Sequence, residues 1–155
     1  MAQAMGMNIL AYKRQYDASS ETDSLHFTDL DTLYKNADII SIHCPLNEET
    51  RGMINQNALA QMKDSTILLN TARGGILNEI DVAKALTSGK LYMVGIDVLS
   101  EEPPRKDNPL FSHPKCIVTP HVAWAAKETR MRLMEIAADN FYAYLEGHPQ
   151  NIVHL

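Results

Sequence analysis

Four side chains with complementary chemistry stand just beyond the ends of short apolar runs. Arg73 follows STILLN, Asp97 follows LYMVGI, Glu102 comes a few residues later, and His121 follows CIVTP. A guanidinium clamps a carboxylate-bearing ligand in a two-pronged fork. An imidazole moves a proton at neutral pH, and a carboxylate beside it sets its tautomer and raises its pKa. Singly, each residue has a plain structural explanation. Arg73, before Gly74 and Gly75, can cap a helix or pair on the surface, and His121 can be a satisfied loop histidine. Glu102 lies in an acidic, proline-rich stretch that favours a solvated carboxylate. Asp97 can cap a turn, and Trp124 reads as a packing residue. Their order on successive run ends lifts them above that background.

The runs that must position these residues alternate with amphipathic stretches. Residues 7–13 (MNILAYK), 24–27, 38–43 (DIISIH), 65–70, 91–97 and 115–119 read as strands. Thr28, with Asp31 three residues on, is placed to cap a helix through Leu30, Leu33 and Tyr34. A second helix is expected over 57–62. Asn78 caps a third, in which Ile80, Val82, Ala83 and Leu86 fall at helical spacing and which Gly89 stops. A long helix over 127–146 ends at Gly147 and Pro149. Apolar strands separated by helices predict an α/β fold with a doubly wound parallel sheet covered on both faces. Ligands of such sheets bind beyond the carboxyl ends of the strands, where the four side chains fall. The irregular stretch 100–114, with Pro103, Pro104, Pro109 and Pro114, is long enough to suggest function.

The 155 residues and 17.3 kDa suffice for one domain with a true core. Apolar residues are 45% and charged residues 21%, the composition of a globular rather than a disordered chain. The net charge of −5, with 14 Lys+Arg against 19 Asp+Glu and no basic block, argues against a nucleic-acid partner. No apolar run approaches the roughly 20 residues of a membrane-spanning helix. The N-terminus MAQAMGMNIL lacks the basic start of a signal peptide. Cys44 and Cys116 are far apart with no CxxC partner, which argues against a metal or redox centre and suits a reducing cytoplasm.

Four collinear segments carry a resemblance: HCPLNEETRGMIN (43–55), LLNTARGGILNE (68–79), GIDVLSEEPP (95–104) and TPHVAWAAKE (119–128). Together they resemble the D-isomer-specific 2-hydroxyacid dehydrogenase family. The EPP loop, NPLF and PHVAWA look most like its glycerate dehydrogenase, or hydroxypyruvate reductase, branch. The phosphoglycerate and lactate branches are a less close match. The resemblance implies a Rossmann-like fold, an NAD(P) cofactor, and a small 2-keto or 2-hydroxy acid substrate, such as hydroxypyruvate or glyoxylate. Arg73 matches the arginine that binds the substrate carboxylate, Glu102 the glutamate that supports the catalytic histidine, and His121 the general acid. Asp97 matches the residue that holds the nicotinamide carboxamide. Cys44, Pro45, Leu46, Thr50, Thr71, Ala72, and the turn from His121 through Ala123 and Trp124 match loops lining the cofactor.

Two departures from the family pattern carry expectations of their own. The family places a glycine-rich turn before the strand matching residues 7–13, and this chain has none. Its first six residues resemble the end of the helix after that turn. The reading is therefore of a C-terminal half, with 1–126 a partial cofactor domain and 127–155 a helix and tail that pack on an absent substrate domain. The missing first strand is the central one of the usual order, which leaves two bare sheet edges. A complementing segment, a partner chain or an altered strand order is then expected. The family implies a homodimer. The second departure is Lys13 and Arg14, where many members carry an Asp for the ribose; cations there suit a 2′-phosphate, so NAD and NADP both stay open. Two further readings remain: a dinucleotide-sensing interaction module of the corepressor type, which shares a PHxAW segment, and an inactive fragment.

Overall fold

The alternating runs fold much where their patterning puts them. A computed structural model describes residues 1–16 and 18–153, and within these the elements run β1 (Ile9–Ala11), β2 (Leu25–Phe27), α1 (Leu30–Asn36), β3 (Ile39–Ile42), α2 (Gln56–Gln61), β4 (Thr66–Asn70), α3 (Glu79–Ser88), β5 (Leu91–Ile96), β6 (Cys116–Val118) and α4 (Lys127–Leu145). Side-chain caps set the helix starts. Asp29, not Thr28, caps α1: its carboxylate accepts the Thr32 N–H at 2.8 Å and the Thr32 hydroxyl at 3.0 Å. Those bonds favour the ionised form and hold the Asp29 carboxyl below its usual range. Asn55 starts α2 one residue earlier than the pattern suggests, accepting the Asn57 and Ala58 N–H groups. Asn78 and Gly89 bound α3 as expected, Gly89 at a left-handed φ of 81°.

All named strand pairs are parallel, but they form two sheets. Among the described residues β1 pairs only with β2, and β3-β4-β5-β6 make a separate sheet. β1 and β3 thus each have one strand neighbour, as expected of a doubly wound sheet divided at its centre. Residues 1–6 hold only a short 3₁₀ turn, Gln3–Met5, stopped by Gly6 at φ 75°.

One face of the larger sheet carries the core. Ile40, Ile42, Leu68, Val94 and Ile96 cluster with Leu59, Val82 and Leu86 of α2 and α3, and with Ile54, Met62, Ile76 and Leu110 from the loops. Burying each such side chain is worth about 1.5–3 kcal/mol. The expected covering of both faces is complete on this face alone, the other being partly covered, with Ile67 and Leu69 half-buried. On the other, Ile39 is 43% and Ile117 58% exposed. Ile80, assigned to the apolar stripe of α3, also points outward, while Val82, Ala83 and Leu86 are buried. Burial pushes the Tyr34 hydroxyl up to about 12 and the Cys116 thiol up to about 11, so both are protonated at neutral pH.

The chain divides into two compact units, Met1–Pro120 and His121–Leu155. The second is built on α4, which buries no residue and exposes Met131, Leu133, Met134, Phe141 and Leu145. Among the described residues no helix is long and apolar enough to cross a membrane.

Candidate active site

Strand register creates the rim on which the first unit's polar residues collect. Ile42, Asn70, Ile96 and Val118 align across the four strands, so His43, Thr71, Asp97 and Thr119 are the first residues past their carboxyl ends. Asp97 is 4% exposed, and its Oδ1 accepts the Thr119 hydroxyl proton at 2.5 Å. A buried carboxylate with such a partner is a fixed acceptor.

Asn70 shapes the turn that follows β4. Its fully buried side chain bends back along the chain: Oδ1 accepts the Ala72 N–H at 3.1 Å and Nδ2 donates to the Arg73 carbonyl at 3.0 Å. The turn presents Thr71 and Arg73 at the surface, and Arg73 Nη1 donates to the Ala72 carbonyl at 2.7 Å. Asn70 was not among the predicted site residues. The signal was its phase, since it shares the inward side of β4 with Thr66 and Leu68.

After Arg73 the backbone runs between two other segments. On one side, the Gly52 N–H donates to the Gly75 carbonyl at 2.9 Å and the Ile54 N–H to the Ile76 carbonyl at 3.1 Å. On the other, Gly74 lies so close to Leu99 and Ser100 that a Cβ would stand 1.9 Å from the Leu99 carbonyl carbon. Glu102 closes this second segment on itself. Its carboxylate, on an exposed residue, accepts the Leu99 N–H at 3.0 Å. The structure therefore brings Arg73 and the Glu102 loop together through the Gly74–Leu99 contact.

The 44–50 loop is stiffened by Thr50. Its hydroxyl donates to the Pro45 carbonyl at 2.7 Å and accepts the Asn47 N–H at 2.9 Å, while its own N–H donates to Asn47 Oδ1 at 2.9 Å. Cys44 and Leu46 are half-buried and Pro45 is exposed. Lys13 and Arg14, both exposed, follow β1, and Arg14 reaches this loop through Glu49 at 2.8 Å. In the second unit, His121 sits at a left-handed φ of 54°, exposed along with Ala123. Trp124 is 50% exposed, so its indole is not the packed residue that size alone suggests.

Residues 1–123 match the family described as D-isomer specific 2-hydroxyacid dehydrogenase, NAD binding domain. The chain belongs to this family. It is 45% identical over 153 residues to a hydroxypyruvate reductase of Blautia hydrogenotrophica, covering 99% of this chain and 48% of that protein. It is 42% identical over 154 residues to a glycerate dehydrogenase of Methylorubrum extorquens, covering 98% of this chain and 47% of that protein. The crystal structure of D-lactate dehydrogenase with NAD⁺ from Lactobacillus jensenii superposes with a TM-score of 0.88 at 33% identity, over 99% of this chain and 50% of that one. The chain thus spans about half the length of the curated relatives it matches.

The rim of this dehydrogenase domain fits a nicotinamide dinucleotide. Asp97 is a buried hydrogen-bond acceptor, half-buried Leu46 and Ala72 offer apolar surface, and the cations Lys13 and Arg14 stand past β1.

Proposed function

We propose that this chain supplies the cofactor-binding half of an NAD(P)H-dependent reductase of small 2-keto acids, with hydroxypyruvate or glyoxylate as substrate and D-glycerate or glycolate as product. The observation that carries this reading is the interlock of the Arg73–Gly74 turn with the Glu102 loop beside buried Asp97. Likeness to the Blautia hydroxypyruvate reductase supports the choice of substrate.

In this reading the bound dinucleotide supplies the hydride, delivered to C2 of the keto acid. Arg73 takes the substrate carboxylate in its fork and draws electron density from the carbonyl. His121 gives a proton to the carbonyl oxygen as it becomes a hydroxyl, and Glu102 supports the imidazolium form from which that proton leaves. Asp97 orients the carboxamide and so the ring face presented. The 44–50 loop and the turn through Trp124 line the cofactor. The bare edges of β1 and β3 and the apolar, exposed α4 favour a complementing segment that contributes an extended strand and a surface for α4. The free thiols Cys44 and Cys116 favour the reducing cytoplasm.

Hydroxypyruvate-dependent oxidation of NADH and NADPH, by the chain alone and with the first half of the Blautia reductase, tests this directly. Turnover in either preparation supports it. Tight NADH binding with no turnover of any 2-keto acid, but capture of a peptide, would favour an interaction module instead. Arg73→Lys keeps the charge and loses the planar fork, so KM for hydroxypyruvate should rise about tenfold to a hundredfold with a smaller change in kcat. An unchanged KM removes Arg73 from the substrate carboxylate.

Cofactor choice rests on where the charge of Arg14 is spent. Its partner Glu49 is 67% exposed and the pair is worth little in water, so a 2′-phosphate can compete for the guanidinium. Glu49→Gln should lower KM for NADPH about threefold to tenfold and leave that for NADH nearly unchanged. An unaltered ratio of the two would show that Arg14 does not meet the ribose.

A further inference from the structure

The segment carrying Glu102 has little apolar surface to hold it. Residues 100–107 are all exposed, and burial resumes only at half-buried Asn108 and fully buried Leu110. Such a stretch needs polar anchors to keep one conformation. One side chain from another element provides two of them. Glu79, the first residue of α3, accepts the Ser100 N–H on Oε1 and an Asn108 Nδ2 proton on Oε2, each at 2.7 Å. Asn108 passes the link inward, its Oδ1 accepting the Leu110 N–H at 3.0 Å. Ser100 follows Leu99, whose own N–H is held by Glu102 at 3.0 Å and whose carbonyl lies against Gly74.

We infer that Glu79 is a positioning residue for the reaction: through Ser100 and Asn108 it fixes the 99–108 loop and thereby sets the Glu102 carboxylate against the Arg73–Gly74 turn. Glu79 touches neither substrate nor cofactor in this assignment. The inference rests on the proposed role of Glu102, but the anchoring itself does not. Both contacts of Glu79 are charge-assisted, and each spans more than twenty residues of sequence, so they tie the start of α3 to both feet of the loop.

The donor and acceptor pattern permits a sharp test. In Glu79→Gln one donor is left facing a donor whichever way the amide turns: the new nitrogen meets either the Asn108 amide nitrogen or the Ser100 N–H. Turning the Asn108 amide over gives no relief, because its NH₂ would then meet the Leu110 N–H. Asn108→Asp alone sets two carboxylates against each other. The double variant Glu79→Gln/Asn108→Asp restores a donor to an acceptor, keeps an acceptor for Leu110, and leaves the net charge unchanged.

Two readouts apply to the same preparations: keto-acid reduction, and amide hydrogen exchange at Leu99. The latter reports on the Glu102 bond and would not respond to a merely local loss at Ser100. Each single variant should lower kcat about tenfold with less than about threefold change in KM, and speed Leu99 exchange about tenfold. The double variant should return both to within about threefold of the wild type. Wild-type kcat and Leu99 exchange in Glu79→Gln would overturn the inference, as would a double variant no better than the singles. Should the wild-type chain reduce no keto acid, that counts against the proposed reaction. Leu99 exchange then decides the anchor, its rescue in the double variant supporting it and an unmoved rate refuting it.

Discussion

In the proposed reaction, replacing His121 with asparagine should lower keto-acid turnover about a hundredfold to ten-thousandfold, the contribution of a positioned general acid. The choice of asparagine follows from the backbone. His121 holds a φ of 54°, a left-handed conformation that costs most residues about 1–2 kcal/mol and that His and Asn adopt more readily than others. Alanine would remove the imidazole and add strain, so lost activity would have two causes. Asparagine keeps the turn and a hydrogen-bonding side chain but has no proton to give near neutral pH. Binding of NADH by the variant, measured by fluorescence titration, should weaken far less than turnover falls, by under about tenfold, because asparagine keeps the backbone of the turn proposed to line the cofactor while the proton donor is lost. Turnover within about threefold of the wild type would remove His121 from the proton transfer altogether.

What the sequence discloses and what it hides divide along a physical line. Local periodicity and capping chemistry are properties of neighbouring residues, so α3 with its Asn78 cap and Gly89 stop could be read directly. Asp29 and Thr28 both offer a capping oxygen, and only the structure shows that Asp29 reaches the Thr32 N–H. The division into β1-β2 and β3-β4-β5-β6 was legible because no run supplies a strand between them. Asp97 stood out as a polar residue directly after an apolar run, and Arg73 as a cation three residues past the end of another, where strand ends are expected. Glu79 and Asn70 did not. Glu79 begins a helix, where an acidic residue is common for dipole reasons alone, and its partners lie beyond β5. Nor does the pattern show that Ile39 and Ile117 lie on a partly uncovered face, since strand alternation says which residues share a face and not what covers it.

Gly74 extends that line to an effect on stability. Its hydrogen occupies space that a methyl group cannot: a Cβ would lie 1.9 Å from the Leu99 carbonyl carbon, 2.0 Å from its oxygen and 2.4 Å from the Ser100 nitrogen. All three atoms are backbone, so no side chain can swing aside. Gly74→Ala must therefore push the Arg73 turn off Leu99, or push Leu99 and Ser100 off their bonds to Glu102 and Glu79. Either route costs about 3 kcal/mol, the upper end for overpacking. That corresponds to a fall in Tm of about 6–12 °C for a chain of this size. Gly75→Ala is the control. Its Cβ would meet the Leu46 Cδ2 at 3.0 Å, the tip of a flexible side chain, and Tm should move by less than about 3 °C. Thermal unfolding followed by circular dichroism separates the two variants, and Leu99 and Ser100 amide shifts show which segment has moved. A Gly74→Ala chain that melts with the wild type and keeps both shifts would mean that the two segments do not meet. The link between Arg73 and the Glu102 loop would then be lost with the contact.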